Sequence, residues 1–145
     1  MRVLGIDFGE RRIGLALSDP TETLATPLPT LKRRAGKRPP WKELTEIVQA
    51  RGVGALVIGL PLGLDGEETE WCRAVRDFGT TLSERMGLPV HYVDERMTSV
   101  RAERAIRSLG LPKKKREEKG RIDAAAAVLI LQHWLDSHRS GEWSS

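Results

Sequence analysis

Apolar and polar positions along the chain follow two periods in succession, first that of a strand and then a strand period alternating with that of a helix. Arg2 to Asp7 is a short β-rich run, Phe8 to Arg12 carries Gly9 and charges, and Ile13 to Ser18 alternates apolar with small residues. That pattern predicts a hairpin. Glu22 to Leu31 supplies a third strand, which Pro27 and Pro29 confine to a sheet edge because neither can donate to a ladder. After Pro39-Pro40 the stripe Trp41, Leu44, Ile47 and Val48 predicts a helix that stops at Gly52. Ala55 to Leu60 is continuously apolar, as in a central parallel strand covered on both faces. Trp71, Val75, Phe78 and Leu82 recur at helical spacing until Gly87 and Pro89, and Val90 to Asp94 is a further strand. Thr98 or Ser99 can cap a helix whose Val100, Ala105, Ile106 and Leu109 face inward, ended by Gly110 and Pro112. A last helix, rich in Ala and Leu, spans Gly120 to Asp136. The polar residues 137–145 form an irregular tail, so residues 1–136 are expected to make one domain.

Three strands in a meander followed by helix, strand, helix, strand, helix, helix imply a five-stranded mixed sheet flanked by helices. Right-handed crossovers make the first, fourth and fifth strands parallel. This α/β arrangement is that of the ribonuclease H-like fold, which several unrelated functions share, so the site has to carry the functional argument.

The chain has 145 residues, enough for one core that needs no disulfide or metal to hold it. With 39% hydrophobic and 30% charged residues, it is neither disordered nor fibrous in composition. The lone cysteine, Cys72, cannot close an intrachain disulfide and reads as a small buried apolar residue. The longest uncharged stretch, Val53 to Leu64, is too short to cross a bilayer, and the apolar run before Asp7 is too short for an export signal. A reducing, cytoplasmic location is expected. Positive charge is concentrated in two runs, Lys32 to Arg38 and Lys113 to Arg121, which hold 11 of the 24 Lys and Arg but only 2 of the 20 Asp and Glu. The rest of the chain carries 13 positive and 18 negative charges. Basic segments on an acidic body suit a polyanion, with affinity gained by counterion release from phosphates. Lys113, Lys114, Lys115, Arg116, Lys119 and Arg121 are therefore candidate nucleic-acid contacts, joined by Arg11 and Arg12 from the hairpin. The alternative for each is a solvated loop or turn.

Three carboxylates point to chemistry. Asp7 ends the first strand inside Gly5-Ile6-Asp7-Phe8-Gly9, Glu95 follows the parallel strand Val90 to Asp94, and Asp123 opens the last helix with Ala124 to Ala127 behind it. Acids at the same ends of parallel strands enter one crevice. Three convergent acids repel unless a cation compensates, and all-oxygen ligation suits one or two Mg²⁺ or Mn²⁺ ions. His91, His133 and His138 have no ligand spacing with a Cys. Such a site performs in-line phosphodiester hydrolysis. The plainer alternatives are a helix N-terminal acid for Asp123 and a surface ion-pair partner for Glu95. Trp41, Trp71, Phe78 and Trp134 fall on apolar helix faces and read as core rather than as base-stacking platforms.

The stretches 5–9 with Arg12-Ile13-Gly14-Leu15-Ala16, then Val57 to Leu62 with Asp65-Gly66, then Val93-Asp94-Glu95-Arg96-Met97-Thr98, and Asp123 to Leu131 together resemble the YqgF family, also called RuvX. The resemblance runs from Met1 to about Asp136. It implies a fold like that of RuvC-type Holliday junction resolvases and a nuclease acting on pre-16S rRNA, with Asp7, Glu95 and Asp123 at its acidic positions. One departure stands out: resolvases of this kind end the fourth strand with an acid, and here that region reads Ile58-Gly59-Leu60-Pro61. Glu95 takes over that role, with Asp65 as a partial substitute whose alternative is turn chemistry. Asp94 is at most a supporting residue, and Thr98 either contacts phosphate or caps its helix. Cleavage of branched DNA is the second reading and would require a homodimer with two facing sites. A non-catalytic ribosome-maturation factor is the third. The Gly-x-Asp-x-Gly hairpin also resembles the phosphate loop of actin-like and sugar-kinase ATPases, but those place nucleotide between two such domains.

Overall fold

A computed structural model describes residues 1–33, 38–104 and 116–144, with the side chains of 116–122 and 139–144 left aside. Five strands form one sheet: β1 (Arg2–Phe8), β2 (Arg12–Ser18), β3 (Ala25–Lys32), β4 (Val53–Leu60) and β5 (Val90–Asp94). Their order is β3-β2-β1-β4-β5, with β1–β2 and β2–β3 antiparallel and β1–β4 and β4–β5 parallel. This is the expected mixed sheet, with the proline-bearing strand at one edge. Helices α1 (Trp41–Ala50) and α2 (Glu70–Met86) connect into β4 and β5. A 3-10 turn, Glu95–Met97, leads into a helix α3 whose described residues are 100–104, and α4 (Arg116–Ser144) closes the chain. Ala105, Ile106 and Leu109, expected to face inward, lie outside the described residues.

Alternation along β1 sorts its side chains onto two faces. Leu4, Ile6 and Phe8 join Leu44, Val48, Cys72, Val75, Phe78 and Leu82 beneath α1 and α2. Phe8 stacks on Phe78 at 4.0 Å and on Trp71 at 5.5 Å between ring centroids, and Trp41 stacks on Phe78 at 5.5 Å, so three of the aromatics read as core are core. Val3, Ala16, Ala55, Val57 and Val93 join Ala126, Ala127, Ile130, Leu131, Trp134 and Leu135 of α4 on the other face. Asp7, two residues on from Gly5 and four from Val3, belongs to this second face.

Local chemistry explains most element ends. The Thr69 hydroxyl caps α2 by accepting from Cys72 N at 3.3 Å, and Gly87, in the left-handed conformation at φ 66°, ends it. β3 begins at Ala25 rather than Glu22 because the Asp19 carboxylate accepts from the backbone of Thr21, Thr23 and Leu24 and draws those residues into a turn. The final helix is longer at both ends than its apolar pattern. It starts at Arg116, and where an irregular tail is expected from Ser137 it continues through Ser144. Ser137 Oγ donates to His133 O at 2.8 Å and His138 stacks on Trp134 at 3.7 Å, so polar side chains there extend the helix. No helix among the described residues is long and apolar enough to cross a membrane.

Candidate active site

Asp7 and Glu95 come from separate parts of the chain and are both buried, 6% and 2% exposed. Asp7 lies at the C-terminal end of β1, where the side-chain alternation of the strand turns it toward α4. Glu95 is delivered by the 3-10 turn after β5, which the Asp94 side chain caps by accepting from Arg96 N at 2.9 Å. The two acids meet at one guanidinium. Arg104 Nη2 donates to Asp7 Oδ1 at 2.5 Å and Arg104 Nη1 to Glu95 Oε1 at 2.9 Å. Burial pushes the Glu95 carboxyl above its ordinary range; Arg104 opposes the shift and Asp7 adds to it. Burial also works against the charged guanidinium, but Asp7 and Glu95 outweigh it and hold the Arg104 pKa above its usual value.

Glycines make room for the acids at two points. Asp7 lies opposite Gly14 in the β1–β2 register, so both face the same side of the sheet. A Cβ on Gly14 would collide with Asp123 O, so the backbone of Asp123 rests directly on β2 beside Asp7. In β4 a Cβ on Gly59 would collide with Ile130 Cδ1 and lie 2.9 Å from Glu95 Oε2. Glu95 thus reaches back over the end of β4, where Ile58 to Pro61 carries no acid of its own. Among the described residues no three of His, Cys, Asp and Glu form a cluster able to hold a metal. Asp7 and Glu95 form a pair, and Asp123 is adjacent through its backbone.

The supporting residues fall elsewhere. The Asp94 carboxylate is engaged by Arg96, with Nη2 to Oδ2 at 2.7 Å, which holds its pKa down. Arg96 Nη1 also donates to Leu64 O at 3.2 Å, and Arg101 donates to Leu62 O, so both arginines fasten the loop after β4. Within that loop Asp65 is exposed and accepts from Glu67 N at 3.1 Å, which is turn chemistry. The Thr98 hydroxyl donates to Glu95 O at 2.9 Å and accepts from Val100 N at 3.3 Å, so it caps the start of α3. Arg11 and Arg12 lie in the hairpin beyond Asp7, where Gly9 N donates to Arg12 O and Arg33 N to Arg11 O. Lys113, Lys114 and Lys115 are outside the described residues, and of Arg116, Lys119 and Arg121 only the backbone is described, in the first turns of α4. The sequence reading missed Arg104. Its only signal was a second cation four residues beyond Val100 in an amphipathic segment, which looks like surface.

The fold is ribonuclease H-like, and it is shared by solved structures of low sequence identity. Thermus thermophilus RuvC, solved with a Holliday junction substrate, superposes with a TM-score of 0.55 at 17% identity, covering 96% of each chain. Fowlpox virus resolvase, also solved with junction DNA, gives 0.56 at 10% identity, covering 94% of this chain and 98% of that one. The family follows from sequence. Residues 1–137 match the family model RuvX, Holliday junction resolvase, and the protein belongs to that family of nucleases. Relatives include the Maridesulfovibrio salexigens protein named "Putative pre-16S rRNA nuclease", 46% identical over 93% of this chain and 98% of its own length. The Chloroflexus aurantiacus protein of the same name is 44% identical over 95% of this chain and 88% of its own length.

Proposed function

We propose that the protein is a metal-dependent nuclease that hydrolyses phosphodiester bonds in structured nucleic acid, with precursor 16S rRNA as its substrate. The observation that carries this reading is the buried Asp7–Glu95 pair at one end of the parallel strands, held by a single guanidinium, with Asp123 placed beside it through Gly14. The names of its relatives support the rRNA substrate.

The donor set suits a hard divalent ion: carboxylate oxygens from Asp7 and Glu95, with the backbone of Asp123 resting on Gly14 beside them. Together the first two acids carry one more negative charge than Arg104 neutralises. Bound Mg²⁺ or Mn²⁺, one or two ions, would activate a water and stabilise the leaving oxygen of an in-line displacement. Asp7, Glu95 and Asp123 are the residues that would hold it. Burial around Glu95 excludes water from one side of the pair, which strengthens its attraction for a cation. Arg11 and Arg12 in the hairpin, and Lys113 to Arg121 leading into α4, would hold phosphates without reading base sequence.

Branched DNA is the second reading, favoured by the description of the family as Holliday junction resolvases. It calls for a homodimer with two facing sites. A cytoplasmic location fits either substrate. The test is cleavage of matched RNA-precursor and four-way-junction substrates by wild type and Asp7→Asn in Mg²⁺ and in Mn²⁺. Cleavage of the RNA alone supports the reading, and cleavage of the junction alone shifts it to DNA. Full activity of a folded Asp7→Asn protein removes the acid site.

A further inference from the structure

We propose that Arg104 is the site's built-in counter-cation, and that it competes with the divalent ion for the oxygens of Asp7 and Glu95. The inference rests on the metal-centre reading above and adds to it a residue with no place in the carboxylate set.

Both prongs of the guanidinium are committed to the acids, one to Asp7 Oδ1 and one to Glu95 Oε1. A planar, delocalised cation with donors in a fixed fork can bridge two carboxylates at once, which a lysine ammonium does less well. The Arg104 side chain is 37% exposed, against 8% and 3% for those of Asp7 and Glu95, so it covers the pair from the solvent side. Two unpaired buried carboxylates would repel each other and lose hydration, and Arg104 relieves both penalties when no metal is bound.

A divalent ion on the same two carboxylates would compete for the oxygens that Arg104 now holds. Two cations packed against one pair also repel each other strongly in a low-dielectric setting. The guanidinium must therefore leave when the metal binds. Arg104 reaches the site from the last described turn of α3, and its exposed side gives the head a way out. Arg104 is thus a positioning residue: it bridges the two acids and holds them together without metal, and it sets how much metal is needed to load the site.

The test is direct Mn²⁺ binding, by calorimetry or electron paramagnetic resonance, on the full chain at one fixed pH for all variants. Arg104→Met should bind Mn²⁺ at least tenfold more tightly than wild type. Its metal-free form should melt at a lower temperature, and Mn²⁺ should raise that temperature by more than it does for wild type. Adding Asp7→Asn should remove the binding in both backgrounds. If Arg104→Met does not fold, Arg104→Lys carries the same comparison, since it keeps the charge but not the two-pronged bridge. Affinity equal to or weaker than wild type in the folded variant overturns the competition while leaving the metal site standing. Failure of wild type and variant alike to bind Mn²⁺ overturns the metal centre and this inference with it.

Discussion

The two faces of the sheet are built from different materials. Beneath α1 and α2 the contacts are large: Phe8, Trp71, Phe78 and Trp41 stack in a continuous series, with Leu4, Ile6, Leu44, Leu56 and Leu82 around them. Beneath α4 the sheet offers Gly5, Gly14, Gly59, Ala16 and Ala55, and the helix answers with Ala124, Ala126 and Ala127 before its larger residues begin at Val128. Large side chains hold layers apart at the usual spacing and supply transfer energy. Small ones let the helix backbone touch the sheet. The second arrangement gives up buried area, and in exchange brings the backbone of Asp123 and the carboxylates of Asp7 and Glu95 into one small space. Stability is concentrated on one face and chemistry on the other.

Mutations on the two faces should therefore separate folding from turnover. On the α4 side, Asp7→Asn and Glu95→Gln should each lower cleavage by about a thousandfold or more while the protein stays folded, since each removes an anionic oxygen from the acid set. Asp65→Asn should change the rate only slightly, because that carboxylate serves its own turn. On the α1/α2 side, Phe78→Ala should cost about 3 to 5 kcal/mol by denaturant unfolding. Cleavage per folded molecule should hold, and an equal loss of rate from Phe78→Ala would end the division of labour.

Gly59→Ala sharpens the comparison. The new methyl group meets the ends of two flexible side chains, Ile130 Cδ1 and Glu95 Oε2, so the fold can adjust, but the carboxylate must move. A displacement of about 1 Å can cost about a hundredfold in rate, and single-turnover cleavage should fall by about ten- to a hundredfold with a small change in melting temperature. The reverse outcome, a large loss of stability with normal cleavage, would mean that the glycine serves helix packing alone.

A smaller effect belongs to the basic segment. Replacing Lys113, Lys114 and Lys115 together should weaken substrate binding regardless of sequence and reduce the log–log salt slope by about 0.7 to 0.9 for each phosphate no longer neutralised. Binding measured at several salt concentrations decides this, and an unchanged slope assigns the segment another role.

The smallest effect is on stability against pH. Burial raises the Glu95 pKa in the folded state above the unfolded value of 4.5, so the native protein binds the extra proton more readily. Its contribution is therefore fully present below 4.5 and is lost as pH rises through the folded pKa. Without metal, wild type should lose stability over that interval relative to Glu95→Gln, whose amide still accepts from Arg104. Parallel thermal melts from about pH 4 upward check the sign.

The alternation of β1, the unbroken apolar run of β4 and the two prolines of β3 determined the sheet, because period and missing donors are local properties that the neighbours inherit. The same holds for Asp7, whose glycine-flanked position at a strand end is chemical information in itself. The extent of α4 was less legible: Gly120 and a polar tail read as boundaries, yet the helix runs across both, since its backbone hydrogen bonds do not depend on a continuous apolar stripe. What only the tertiary structure decided are the meetings of distant residues. Arg104 reaches Asp7 across 97 positions of chain, Glu95 lies over Gly59, and Asp123 rests on Gly14. Nothing within a few residues of any of these states the partner. The close approach comes from α4 and the segment after β5 settling on one face of the sheet, and that depends on which small residues the two surfaces present to each other.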